Sequence, residues 1–247
     1  MKKEQYIFGI HPLLEAIDAG KTIDKVWIQR GMNPETTQRV VSQLKRGEIP
    51  FQYVPKAKLD QFTRGNHQGV VTSISPIEFS NIEWLLPALY EKGETPFLLI
   101  LDRISDVRNF GAICRSAECA GVHAIIIPAK GAAQINADSI KTSAGAALRI
   151  PICRVPSIVQ TINFLTESGI EIIACFENGE EPYFEADLDK PFALMMGSED
   201  DGISKNNLQG ATTSIRIPMA GKTASLNVSV ATGIILFEAL KQRALAS

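Results

Sequence analysis

Five short runs at 97–101, 124–128, 171–175, 193–196 and 214–217 constrain the fold of this 247-residue chain more than any other feature. Apart from 214–217, which reads Ser-Ile-Arg-Ile, they are largely apolar and do not alternate with polar residues, as a half-solvated strand would. Strands of that kind are buried on both faces, which is the habit of parallel sheets, and parallel strands need helical crossovers between them. Helical stretches at 111–120, 139–147, 158–167 and 228–244 are spaced to supply those crossovers. In the last of them Val230, Ile234, Phe237 and Leu240 fall at helical spacing, and we read them as a core stripe. Residues 97–247 are thus predicted to form an α/β domain with a parallel sheet.

Upstream, residues 1–75 read as a smaller α/β unit. His11-Pro12 opens a helix stopped by Gly20, and Pro34 opens another stopped by Gly47. Strands are expected at 25–30, 51–54 and 69–74, with a short helix at 58–62. Alternating elements predict a partly parallel sheet covered by helices. Residues 76–96, bounded by prolines and containing one short helix near 84–90, read as a linker.

Charge is uneven. Residues 1–67 carry 11 Lys/Arg against 7 Asp/Glu, whereas the remainder carries 14 against 20. A basic N-terminal third on an acidic body suits a module that meets phosphates, although surface scatter gives the same numbers. No apolar run approaches the roughly 18 residues that span a bilayer. The opening MKKEQYIFGIHP lacks the apolar core of a secretory signal. Cys114, Cys119, Cys153 and Cys175 form no Cys-x-x-Cys and read as free buried thiols of a reducing cytoplasm. They offer no metal site.

Ligands of open parallel sheets sit beyond the carboxyl ends of the strands. Three polar, glycine-bearing segments occupy such positions: DRISDVRNFGAICRSAE after 97–101, GSEDDGIS after 193–196 and PMAGKTASLN after 214–217. Together they supply Asn109, Arg115, Glu199, Ser225 and Asn227. Gly221-Lys222-Thr223 resembles the tail of a phosphate loop, but the opening glycine position holds Arg216, which argues against a nucleotide-triphosphate loop. No histidine lies in these segments, so a Ser-His-Asp hydrolase is disfavoured. Simpler readings exist for each residue. Asn109 and Ser225 suit helix N-caps, Gly197 and Gly202 suit turns, and Arg115 with Glu118 suits a surface pair. Their joint occurrence at successive strand ends favours a site.

NFGAICRSAECAG, MGSEDDGIS and IRIPMAGKTASLNVSVATGIILFE closely resemble the three motifs of the SpoU/TrmH family of RNA ribose 2′-O-methyltransferases, within the SPOUT class. YIFGIHPLLEAI and NHQGVV are similar to the opening domain of its RlmB-type branch, which methylates a guanosine of large-subunit ribosomal RNA. One departure is Val107, where the family usually has proline. The resemblance implies a deep trefoil knot in the C-terminal domain, a homodimer, and a ribosomal-protein-like RNA-binding N-terminal domain. It implies S-adenosylmethionine held by main-chain groups around Met195, Met196, Gly197, Ile217, Met219 and Leu226. It implies that Arg115 stabilises the developing oxyanion and clamps a phosphate. Asn109 and Asn227 would orient the RNA, Glu199 would hold Arg115 or a neighbouring amide, and Ser225 would fix its loop or touch substrate. Roles for His11, His67 and Lys222 stay open. Transfer RNA as substrate, or a non-catalytic RNA-binding factor on the same scaffold, are the competing readings.

Overall fold

The computed structural model describes residues 6–223 and 225–246; the opening MKKEQ of the basic N-terminal third lies outside them. The chain divides into two compact units, one reaching Glu78 and including Ile135–Ala137, the other comprising Phe79–Gln134 and the chain from Asp138 onward. No helix among the described residues is long and apolar enough to cross a membrane.

The first unit runs β1 (Tyr6–Phe8), α1 (Ile10–Asp18), β2 (Ile23–Gln29), α2 (Pro34–Arg46), β3 (Phe51–Val54), α3 (Lys56–Leu59) and β4 (Val70–Ile74). Its sheet has the order β1-β4-β2-β3. Only β2 and β3 are parallel, with α2 as their crossover, while β4 is antiparallel to both its neighbours. Pro at the first turn of α2 and Asn33 capping it, with acceptances from the Glu35 and Thr36 amides at 3.0 and 3.3 Å, fix where that helix starts. Val40 and Leu44 pack against Val26, Ile28 and Val70 beneath it. The three-residue β1 is too short for periodicity to reveal.

The second unit begins with α4 (Ile82–Glu91), followed by β5 (Phe97–Asp102), α5 (Val107–Cys119), β6 (Ala124–Pro128), α6 (Ala137–Thr142) and a 3₁₀ turn at Ala146–Leu148. Then come β7 (Ile152–Val155), α7 (Ile158–Glu167), β8 (Glu171–Cys175), β9 (Glu181–Pro182), β10 (Phe192–Gly197), α8 (Lys205–Leu208), β11 (Thr213–Arg216) and α9 (Val228–Ala246). The seven strands are all parallel in the order β7-β6-β5-β10-β8-β11-β9. Every residue of β5 is buried, as a strand covered on both faces must be. Leu98, Ile100, Ile126, Ile172 and Met195 face Leu86 of α4 and Ile162 and Leu165 of α7. The stretch 76–96, read as a linker, therefore contributes α4, whose Ile82 and Leu86 belong to this core. On the other side the Phe97 and Phe192 rings lie 5.0 Å apart, and Arg243 of α9 covers both at 4.8 and 5.3 Å. Its guanidinium also donates to the carbonyls of Thr95, Pro96, Leu188 and Lys190, which seats the C-terminal helix at the foot of the sheet.

Several expectations change. The stripe Val230, Ile234, Phe237 and Leu240 is not core: Ile234 is half-buried, and Val230, Phe237 and Leu240 are 51, 49 and 38 % exposed. Val228, Thr232, Ile235, Leu236 and Ala239 are buried instead. The helix is apolar nearly all round, so spacing alone could not choose its inner face. The expected helix at 139–147 breaks after Thr142, because Ala144 and Gly145 take left-handed φ of 51° and 83°. β7 escaped notice because Arg154 interrupts it; that guanidinium stacks 4.0 Å over Phe79.

Three of the four thiols are buried, and burial pushes Cys114, Cys153 and Cys175 up to about 12. Cys119, expected to be buried, ends α5 and is exposed. An alkylating reagent on the native protein should label Cys119 alone, and all four only after denaturation, read by mass spectrometry. Native labelling of Cys114 would contradict this packing.

Candidate active site

The carboxyl ends of β5, β8, β10 and β11 carry four loops. Asp102, 2 % exposed at the end of β5, accepts from the Ser204 amide at 2.6 Å and from Arg103 Nε at 3.2 Å. Arg103, held at φ 59°, also donates to Asp201 and to the Gly202 carbonyl at 3.3 and 3.2 Å. The β5 loop thereby clamps the β10 loop, which is closed on itself by Ser198 and Gly202 through paired backbone bonds of 3.1 and 2.9 Å. Arg216, the residue that displaced the phosphate-loop glycine, donates to the Gly179 and Glu180 carbonyls at 2.7 and 2.5 Å. It ties the β8 loop to β11.

These loops surround a cavity of about 950 Å³. Of the expected residues, Met196, Gly197, Glu199, Ile217, Met219, Ser225, Leu226 and Asn227 line it. Met195 does not: its side chain is wholly buried in the sheet core. Asn109 and Arg115 are not lining residues either. Phe176, Glu177 and Asn178 of the β8 loop line it and were missed, although the strand-end rule applied to 171–175 finds them. With Glu177, Glu199, Asp200 and Asp201 on its wall, and Arg216 committed to carbonyls, the cavity favours a cation.

At the cavity's edge the side chains form a directed chain. Asn109 Nδ2 donates to Glu199 Oε1, and Asn227 Nδ2 donates to Asn109 Oδ1 at 3.0 Å. Asn227 Oδ1 then accepts from Ser229 N and Oγ at 2.9 and 2.5 Å. The direction follows from chemistry: a carboxylate only accepts, so Asn109 must turn its NH₂ to Glu199 and its carbonyl to Asn227. Each amide keeps a second N–H for a ligand.

The helix-capping alternatives resolve differently from their sequence reading. Asp106, not Asn109, caps α5, accepting from the Arg108 and Asn109 amides at 2.8 Å each. Asn227, not Ser225, holds the start of α9. Such a cap is worth about 1 kcal/mol. Glu118 pairs with Arg149 at 2.7 Å, not with Arg115, and that hydrogen bond holds its carboxyl below the usual range. Arg115 is exposed, with no ion pair among the described residues. It stands about 9 Å along α5 from Asn109 and about 120° round it. His67 sits in the first unit, buried, donating from Nε2 to Asp60 and accepting the Gly69 amide at Nδ1, both at 3.0 Å. His11 and Lys222 are exposed. Among the described residues no group of three His, Cys, Asp or Glu side chains is placed to hold a metal ion.

Comparison with known proteins places this geometry. Residues 96–237 match the SpoU rRNA Methylase family, and residues 6–80 match the domain described as RNA 2'-O ribose methyltransferase substrate binding. The chain is 35% identical over 242 residues to the 23S rRNA (guanosine-2'-O-)-methyltransferase RlmB of Escherichia coli K12, covering 97% of this chain and 99% of that protein. It is 36% identical over 244 residues to RlmB of Yersinia pestis, covering 98% of each. An AdoMet-bound rRNA methyltransferase from Sinorhizobium meliloti superposes with a TM-score of 0.60 at 25% identity, over 96% of this chain and 86% of that one. With both halves of the chain matched in order, and the strand-end loops falling inside the first match, the protein belongs to the SpoU rRNA methylase family.

Proposed function

We propose that this protein is an S-adenosylmethionine-dependent RNA ribose 2′-O-methyltransferase that forms 2′-O-methylguanosine in 23S ribosomal RNA, acting as a homodimer in a reducing cytoplasm. The observation that carries the reading is the Glu199–Asn109–Asn227 chain at the edge of an acid-walled cavity, in a protein that spans nearly all of RlmB. A deep trefoil knot in the second unit is part of the proposal. The order β5-β10-β8-β11 supports it, since late strands enter the middle of the sheet.

The residues present fit the cofactor. A sulfonium is a cation and would be favoured by Glu177, Glu199, Asp200 and Asp201 on the cavity wall, while Met196, Ile217, Met219 and Leu226 would offer apolar surface to a purine. Main-chain groups at these strand ends can read the adenine edge. When bound, S-adenosylmethionine supplies a methyl group on a leaving group that departs neutral, so positioning provides much of the rate. The spare N–H groups of Asn109 and Asn227 orient the ribose and a phosphate. A guanidinium has no lone pair to take the hydroxyl proton, so Arg115 stabilises the developing oxyanion, and the proton passes to an RNA phosphate or water. Because Arg115 lies off the cavity, the RNA must run along the exposed face of α5.

Labelled S-adenosylmethionine with undermethylated ribosomal RNA and with bulk transfer RNA, followed by nucleoside mass spectrometry, tests the reading. 2′-O-methylguanosine in ribosomal RNA alone is expected. Label in transfer RNA alone overturns the substrate, and none in either overturns the activity.

The exposed face of α9 supports the homodimer. Phe237→Glu should raise the dimer dissociation constant at least about thirtyfold, the effect of an interface anchor. Light scattering on a concentration series checks it; an unchanged state would remove α9 from the interface.

A further inference from the structure

The same strand-end rule applies to the first unit, where it marks a second site. β2 and β3 are its parallel pair, with α2 crossing between them. Gln29 ends β2 and Tyr53 lies one residue before the end of β3. Two adjoining cavities of about 380 and 490 Å³ open there, sharing Gln29 and Met32. The first is walled by Tyr53, 41 % exposed, whose ring is propped edge-on against Phe51 at 5.9 Å and 89°. The second is walled by Lys56, Arg64, Asn66 and Gln68. Among the described residues no carboxylate pairs with Lys56 or Arg64, and the one acid on the wall, Asp60, is engaged by buried His67. His67 also takes the Gly69 amide, so the 63–69 loop is held in place from beneath.

An aromatic face, amide side chains and unpaired cations within one concave surface are the three elements of single-strand recognition. Bases stack, their edges meet amides, and phosphates meet cations. We propose that this double cavity holds an unpaired nucleotide of single-stranded RNA, stacked on Tyr53 with its phosphate at Arg64 and Lys56. The proposal rests on the RNA-methyltransferase reading and names the face of the first unit that grips substrate away from the methylated ribose.

The test uses the full-length protein with fluorescein-labelled single-stranded RNA of about 12 nucleotides and a duplex of equal length. Tyr53→Ala should weaken single-strand binding about tenfold, and Tyr53→Phe, which keeps the stacking face, should restore it. Arg64→Ala should reduce the slope of log affinity against log salt by about 0.7, one phosphate contact on a single strand. S-adenosylmethionine affinity should not move in any variant. Unchanged affinity and slope in Tyr53→Ala and Arg64→Ala, or equal binding of the duplex, overturns the site while methyl transfer by the parent protein persists. Loss of methyl transfer in the parent would instead strike the functional reading itself.

Discussion

Arg115→Ala should lower methyl transfer about a hundred- to a thousandfold while leaving S-adenosylmethionine affinity within about twofold, the pattern of a lost oxyanion donor. The two readouts separate because Arg115 is not among the residues lining the cavity, whereas it is exposed on α5 with no competing ion pair among the described residues. Arg115→Lys should fall between the two, since it keeps the charge and loses the planar fork that matches a phosphate. Glu118→Gln is the control. If Arg115 and Glu118 were only a surface pair, both substitutions would be mild and alike. Glu118 is instead held by Arg149, so its neutralisation should leave turnover near the parent value. Calorimetry of cofactor binding beside a radiolabel transfer assay decides the matter. A strong loss of cofactor affinity in Arg115→Ala would place the guanidinium in the cofactor site and overturn its assignment to the RNA side.

The parts of this protein that were legible in sequence are those whose physics is local. Strands buried on both faces announce themselves by unbroken apolar runs, so β5, β6, β8 and β10 could be placed closely. The residue types at strand ends followed from the same pattern. What was not legible depends on partners far along the chain. Asp106 and Asn109 are both plausible caps three residues apart, and only the Glu199 carboxylate, 90 residues on, turns Asn109 outward. Asp102 reads in sequence only as the first residue of the segment after 97–101, yet it holds Ser204, 102 residues away. The inner face of α9 could not be read because apolar residues lie on both sides. The exposed side, Val230, Phe237 and Leu240, is where a second copy would bind in the proposed homodimer. In each case the composition was informative and the pairing was not.

Gly197→Ala is expected to destabilise the second unit by about 3 kcal/mol or more, at the upper end of overpacking costs. The position needs glycine for space, not for backbone freedom. A Cβ there would lie within 3.0 Å of Gly202 C and O and of Ile203 N, all main-chain atoms that cannot rotate away. Relief requires moving Gly202–Ile203, and those residues are fixed three ways. Ser198 and Gly202 exchange backbone bonds, Arg103 donates to the Gly202 carbonyl, and Asp102 accepts the Ser204 amide next in line. The shift therefore also displaces Glu199, which lies between them and anchors Asn109. Two consequences should appear together: a melting temperature lower by about 6–12 °C, and loss of S-adenosylmethionine binding. RNA affinity contributed by the first unit should survive. Gly221→Ala in the next loop is the matched control, since a Cβ there meets nothing within 4 Å and the change should be near neutral. If Gly197→Ala melts within 2 °C of the parent and binds cofactor normally, the β10 loop is not packed as described, and the coupling from Asp102 through Gly202 to Glu199 does not hold.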